Sequence, residues 1–438
     1  MDPIRPPMKF IHTADLHLDS PLKGLASYPD APADRLRTAT RDAFRNLISL
    51  AVDEQVDFMV IAGDVYDGDW RDFNTGLFFV REMGRLRQAG IPVFLLHGNH
   101  DADSEMTRSL QMPDNVQVFS SRQPQTFTLE DKKVALHGRS FKVAATTENL
   151  VPGYPAPVAG WLNIGVLHTA LEGRAQHARY APCSVAELQA KGYQYWALGH
   201  VHEPWIQRGD VTLAYPGNLQ GRHIRELGAR GALLVSAEEG EITDVERVEV
   251  DVLRWHLLEV DVSQAADRAA AVRLAGQSLS ELLQASPAGL PLATRVVFSG
   301  RSPAHLDLVA DEGQLRQEVI AQALALNPDR LWVEKVKVTA EPVPQEGAAA
   351  DDESLDALTE LQGLALAAPE DEEFVSALQG DWQALLEKMP SEVLHASPEL
   401  KALSERGAAQ VAERVREAMP LVMARVVARA GRDARDGA

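Results

Sequence analysis

Five polar motifs follow apolar runs along the first half of this sequence: Asp15-Leu16-His17, Gly63-Asp64-Val65-Tyr66-Asp67, Gly98-Asn99-His100-Asp101, His168, and Gly199-His200-Val201-His202. Together they offer carboxylate, amide and imidazole groups in the mixture that a pair of divalent metals needs. A phosphodiester hydrolase must make a hydroxide near neutral pH, neutralise an anionic phosphate and stabilise the departing oxygen. Two divalent ions about 3.5–4 Å apart do all three, with the nucleophile between them. Their mutual repulsion calls for a shared carboxylate, and Asp64, after the apolar run 58–62 and the turn residue Gly63, is the candidate bridge. Asp15 and His17, at i and i+2, would point the same way from an extended segment. His200 and His202 repeat that spacing, Asn99 adds a carbonyl oxygen and His168 a further imidazole. Nitrogen and oxygen donors without sulfur suit manganese, iron or zinc better than calcium or magnesium.

His100 is set apart by its neighbour Asn99, since adjacent side chains point in different directions. With Asp101 to orient it, His100 is suited to meet the phosphate, protonating the leaving oxygen or hydrogen-bonding the transition state. His12 and His137 read as structural, His97 as a residue behind the ligands that orients them, and Asp67 as a turn residue or one of that same supporting kind. Arg139, Lys142, Arg222, His223 and Arg225 are candidate phosphate contacts, with surface ion pairs as the plainer alternative.

Rigid elements must hold these groups. The runs 10–13, 58–62, 93–97, 164–168 and 195–198 are near-continuously apolar, as strands buried on both faces are. Between them, Leu36, Ala39, Ala43, Leu47 and Leu50 recur at helical spacing over 35–54. A second helix is predicted over 75–88, stopped by Gly90 and Pro92. The result is β-α-β-α-β with a polar motif at each carboxyl end, where open α/β sheets place ligands. From 115 to 250 the pattern shifts toward antiparallel pairs, such as 125–129 with 133–138 and 205–208 with 212–215. The predicted fold class is α/β, two mixed β-sheets flanked by helices, with a small α/β cap and a helical C-terminal tail. The expected divisions are a disordered leader (1–7), a catalytic domain (8–250), the cap (251–341), a linker (342–354) and a helical partner-docking region (355–438). In that tail Leu403, Ala409, Val411, Val415, Met419, Met423 and Val427 form a stripe, which suits either a small helical bundle packed on its own chain or a docking surface for a partner helix.

The chain has 438 residues, enough for two or three domains, and its 45% hydrophobic content supports a packed core. No apolar run approaches the roughly 18–20 residues that span a bilayer, so no membrane association is expected. The single cysteine, Cys183, excludes an internal disulfide and a thiolate zinc cluster, and points to a reducing cytoplasm. A net charge of −20 argues against holding nucleic acid by bulk charge. Roughly half of that deficit falls after about residue 340.

Asp15-x-His17, Gly63-Asp64, Gly98-Asn99-His100-Asp101, His168 and Gly199-His200-x-His202 resemble the calcineurin-like metallophosphoesterase superfamily over about residues 8–235. The segments 12–21 and 179–184, His168-Thr169, and Tyr215-Pro-Gly-Asn218 with Gly221-Arg222-His223 resemble its DNA-repair exonuclease branch, the SbcD-like nucleases, and the YhaO type within it. The resemblance implies one ion held by Asp15, His17, Asp64 and His202, and another by Asp64, Asn99, His168 and His200, with His100 acting on the phosphate. It implies two divalent ions, usually Mn2+ (Fe2+, Zn2+ or Mg2+ being alternatives). It also implies a DNA nuclease, 3′-to-5′ exonuclease and/or endonuclease, that dimerises and works with an SMC-like coiled-coil ATPase in DNA repair. The competing readings are a phosphatase or cyclic-nucleotide phosphodiesterase acting on a small substrate, and a non-catalytic scaffold for DNA ends or an ATPase.

Overall fold

The structure is a computed structural model. It describes residues 8–22, 25, 33–67, 73–102, 110–171, 180–343 and, further on, 360–361, 363–386, 389, 410–416, 418–419, 422 and 426. The expected leader, most of the expected linker, and Leu403, Ala409, Met423 and Val427 of the tail stripe lie outside these residues.

The chain opens with β1 (Met8–Thr13), α1 (Ala33–Asp53), β2 (Phe58–Ala62), α2 (Phe73–Gln88), β3 (Val93–Leu96) and the single turn α3 (Asn99–Ala102). There follow β4 (Val116–Val118), β5 (Gln125–Leu129), β6 (Val134–Gly138), β7 (Leu162–His168), α4 (Val185–Ala190), β8 (Tyr195–Gly199), β9 (Trp205–Gln207) and β10 (Thr212–Tyr215). The long strands β11 (Gly231–Glu238) and β12 (Glu241–Glu249) complete this part. One six-stranded sheet has the order β12-β11-β1-β2-β3-β4, and a second β5-β6-β7-β8-β10-β9.

Strand alternation sorts the apolar runs into layers. Phe58, Val60 and Ala62 of β2 join Phe10, Phe94, Leu136, Ile164, Val166, Tyr195 and Ala197 in a core between the two sheets. Met59 and Ile61 face the other way, against Ala43, Leu47 and Ile48 of α1 and Phe79, Met83 and Leu86 of α2. Leu167, Trp196 and Leu198 do the same on the outer face of the second sheet, against Leu188 of α4. Burial on both faces is why these strands carry no polar alternation. Helix α2 ends as predicted: Gly90 has φ +74°, and the N–H groups of Gly90 and Ile91 donate to Arg87 and Leu86 carbonyls.

The sandwich of two mixed sheets flanked by helices is the predicted fold class, but the antiparallel trend after residue 115 holds only in part. The two predicted hairpins are antiparallel, as is β11 with β12. By contrast β4 joins β3 in parallel, and β6, β7, β8 and β10 are successive parallel neighbours. Parallel neighbours need crossover connections rather than tight turns, and the segments 139–161 and 169–194 supply them.

The chain divides into two compact units, one of Met1–Leu257 with Ser286–Arg295 and Pro328–Glu334, the other of Leu258–Ala285, Val296–Asn327 and Lys335–Ala438. Strands β13 (Arg254–Asp261), β14 (Leu292–Ser299) and β16 (Leu331–Val338) form a three-stranded sheet, and β15 (Arg301–Ser302) pairs with β17 (Glu341–Pro342). The helices here are α5 (Arg268–Ala285), α6 (His305–Ala310) and α7 (Glu312–Leu326), with Leu279 of α5 and Leu315 and Val319 of α7 fully buried. In the tail, α8 (Glu372–Leu386) brings Val375 and Leu378 against Val411, Val415 and Met419 of the predicted stripe. No helix among the described residues is long and apolar enough to cross a membrane.

Candidate metal centre

The motifs leave β1, β2 and β3 of one sheet and β7 and β8 of the other, so the site lies at a rim to which both sheets contribute. The loops after β1 and β2 are zipped together: Asp15 N–H donates to Gly63 O (3.0 Å), His17 N–H to Asp64 O (3.1 Å) and Leu18 N–H to Val65 O (2.9 Å). The expected extended geometry of the Asp15–His17 segment is not found. Asp15, His17, Asp64 and His200 all have left-handed φ values, of 52°, 41°, 53° and 98°. Each such non-glycine residue costs about 1–2 kcal/mol, strain of the kind that clusters at functional sites. Gly63 sits at φ +98°, and a Cβ there would stand 2.5 Å from His168 Nδ1, so the ring packs where only glycine fits.

Asp101 takes a different place from the one predicted. Its carboxylate accepts the N–H groups of Val65 (3.2 Å), Tyr66 (3.1 Å) and Gly98 (3.1 Å), tying the second and third motif loops together. These three donors engage both oxygens of the buried carboxylate. The carboxylate facing His100 Nδ1 is instead that of Asp67, at 3.5 Å.

The remaining candidates converge in two groups whose ligand atoms lie within 4.8 Å of one another: Asp15, His17 and His202, and Asp64, His168 and His200. In the first group His17 Nε2 and His202 Nε2 face each other at 3.1 Å, and His202 Nε2 is 4.0 Å from Asp15 Oδ1. His202 Nδ1 is turned to Glu226 Oε1 (2.8 Å) and His17 Nδ1 to Asp67 Oδ1 (3.4 Å). With protons on the Nδ1 atoms, two Nε2 electron pairs confront each other, an arrangement that a cation between them resolves. In the second group His168 Nδ1 donates to Ala62 O (2.9 Å), leaving Nε2 toward Asn99 Oδ1 (3.0 Å) and Asp64 Oδ2 (3.3 Å). One ring nitrogen and two oxygens that converge in this way need a positive centre, either a proton or a metal ion. The donors are nitrogen and oxygen only, the set that fits manganese, iron or zinc.

The electrostatics agree. Burial would depress His168, but the charges of Asp64 and Asp15 outweigh it and hold its pKa at about 9. Burial would likewise raise Asp64, yet His168, then His17 and His100, keep that carboxyl well below the usual carboxylate range. Asp15 is pushed up to about 6 by burial, with Asp64 adding to the effect and His202 and His168 opposing it. Its carboxylate accepts His200 N–H at 3.0 and 3.2 Å. Burial lowers His17 to about 4, so its ring is neutral and fit to offer an electron pair at physiological pH.

The histidines read as structural are so. His137 bonds Thr126 and Asn163. His12 is fully buried, with Nδ1 2.9 Å from Tyr195 Oη and Nε2 3.2 Å from Leu198 O, and burial pushes its pKa down from 6.5 to about 3. Stability from a base depressed in this way is fully present above its unfolded value and lost as pH falls toward the folded one. Between pH 7 and pH 5, His12 is expected to cost about 2 kcal/mol. Urea unfolding at the two pH values checks this: the drop should be smaller by that amount in His12→Gln, and equal drops in both proteins would reject it. Cys183 is buried beside Thr169 Oγ1. Glu226, Ser20 and the backbone carbonyl of Ala62 are not found from the sequence, because their roles depend on segments distant in sequence that meet only in the fold.

Residues 8–204 match the calcineurin-like phosphoesterase family, and residues 255–341 match the middle domain of metallophosphoesterase YhaO. The uncharacterized metallophosphoesterase YhaO of Bacillus subtilis is 36% identical over 312 residues, 70% of this chain and 75% of that protein. The chain belongs to the calcineurin-like metallophosphoesterases, YhaO type. This metallophosphoesterase is also 28% identical over 287 residues to the DNA double-strand break repair protein Mre11 of Aeropyrum pernix, covering 58% of the chain and 64% of that protein. Among solved structures, a dimetal phosphatase from Danio rerio aligns with 55% of this chain and 97% of its own, at TM-score 0.35 and 12% identity. As a member of this family the protein is a metal-dependent phosphoesterase, and its fold implies divalent metal ions near the His and Asp groups described.

Proposed function

We propose that this metallophosphoesterase is a DNA nuclease of the repair type, cleaving phosphodiester bonds 3′-to-5′ from ends, internally near ends, or both. The observation that carries the reading is the pair of adjoining groups, Asp15/His17/His202 and Asp64/His168/His200, with His100 beside them at 39% side-chain exposure. Similarity to Mre11, a protein whose name gives a role in double-strand break repair, supports DNA as the substrate. In this reading Asp15, His17 and His202 would hold one ion, Asn99, His168 and His200 would hold the other, and Asp64 would serve both. Two divalent ions, manganese by preference, would supply charge neutralisation of the phosphate and acidify water. The chain's own residues orient and move protons: Asp67 faces His100 Nδ1, leaving Nε2 for the phosphate or the leaving oxygen. Asp101 fixes the loops from which Asp64 and His100 project.

The same reading makes the protein cytoplasmic and dimeric, and gives it an SMC-like coiled-coil ATPase as partner. The test of the activity is incubation of the purified chain with manganese on end-labelled duplex and single-stranded DNA, and on p-nitrophenyl phosphate esters. Shortening or internal cutting of DNA is expected. Hydrolysis of the small esters with DNA left intact would transfer the assignment to a small-molecule phosphodiesterase, and inertness toward both would leave a scaffold.

A further inference from the structure

Behind the facing imidazoles of His17 and His202 runs a chain of charges from the loop after β10. Glu226 is 4% exposed and is surrounded by donors. Asn218 Nδ2 donates to its Oε2 (2.9 Å), as does the Arg222 N–H (2.7 Å), while Arg222 Nη2 donates to Oε1 (3.1 Å). The same Oε1 lies 2.8 Å from His202 Nδ1. At its other end Arg222 reaches Ser20 Oγ (3.4 Å) and lies 3.8 Å from Asp67 Oδ1, the carboxylate that faces His17 Nδ1. One guanidinium thus braces the two carboxylates that stand behind the two rings.

We propose that Glu226, braced by Arg222, is a positioning residue that fixes His202 as its Nδ1–H tautomer, so that Nε2 offers its electron pair beside Asp15 and His17. The metal side of this inference rests on the function proposed above; the tautomer side stands on geometry alone. Arg222 Nη2 also lies 3.2 Å from His202 Nδ1. A guanidinium only donates, so with Arg222 as the partner Nδ1 would accept and Nε2 would carry a hydrogen aimed at His17. The shorter contact to an ionised acceptor selects Glu226. Carboxylates that hold a ligating histidine from behind set its tautomer and raise its basicity, and their loss typically weakens metal binding about 10- to 100-fold.

The test has two arms on the full chain. Nitrogen-15 NMR of labelled histidine, with no metal added, should show His202 as the Nδ1–H form in the wild type and in Glu226→Gln, and a shift toward Nε2–H in Glu226→Ala. Calorimetric titration with manganese alone should show two sites in the wild type. In Glu226→Ala one site should be weakened about 10- to 100-fold and the other unchanged, with Glu226→Gln recovering most of the loss. An Nε2–H wild-type His202, which needs no variant to observe, would overturn the inference. So would an alanine variant whose tautomer and manganese affinities match the wild type. A wild type that takes up no manganese would instead refute the metal assignment, and the NMR arm would still decide the role of Glu226.

Discussion

Asp64→Ala is expected to leave the protein with neither ion and to reduce phosphoesterase activity by at least about a thousandfold, roughly 4 kcal/mol of transition-state stabilisation. Asp64 is grouped with His168 and His200, and it is the one residue that the proposed ligand sets share. Its Oδ2 lies 3.3 Å from His168 Nε2, and its Oδ1 accepts the His100 N–H at 3.0 Å. Its charge also bears on His17, a member of the other group. Without it the second group keeps only neutral donors among its proposed ligands, and two neighbouring dications lose the negative charge that offsets their repulsion. Because Asp64 holds φ +53°, a conformation that Asp and Asn adopt more readily than Ala, alanine there strains the backbone further. Asp64→Asn tolerates that backbone and keeps an acceptor for His100 N–H, so it separates lost charge from lost shape. Metal analysis after exposure to excess manganese and desalting should find both variants depleted. Two retained ions in either would remove Asp64 from the bridging role.

Legibility followed the physics of burial. Strands such as β2, buried on both faces, read as unbroken apolar runs, and each polar motif announced itself by ending one. Helix α1 was visible as a stripe, and the stop of α2 at Gly90 and Pro92 as turn chemistry. What stayed hidden depends on distant partners. The parallel alignment of β6, β7, β8 and β10 is decided by crossovers with little periodicity, while the two hairpins nearby gave the stronger local signal. The left-handed backbone at Asp15, His17, Asp64 and His200 could not be read, since nothing in those residue types demands it. The loops are held there by hydrogen bonds to one another. Asp101 follows His100 in sequence, which suggests it as that residue's partner, yet within the turn Asn99–Ala102 its side chain is directed elsewhere, and its carboxylate serves three backbone N–H groups. Glu226 lies 24 residues beyond the histidine it touches, and only the folded loop brings them together.

His100→Gln tests the chemistry apart from the metal centre. The variant is expected to retain both ions and lose about 100- to 10,000-fold in turnover, the usual worth of a positioned general acid or base. The His100 backbone N–H, which bonds Asp64, survives the substitution. Its side chain belongs to neither of the groups Asp15/His17/His202 and Asp64/His168/His200, but to the cluster with His17 and Asp67. Glutamine matches much of the length and polarity but cannot give up a proton, so the loss should depend on the leaving group. If His100 protonates the departing oxygen, hydrolysis of p-nitrophenyl esters, whose phenolate leaves unaided, should suffer far less than cleavage of DNA. An equal loss on both substrates would assign it to hydrogen-bonding the phosphate in the transition state instead. A variant that cleaves DNA like the wild type would leave His100 no part in the reaction. A variant that loses its ions would make the residue a structural support of His17, whose ring centroid is 5.0 Å from its own.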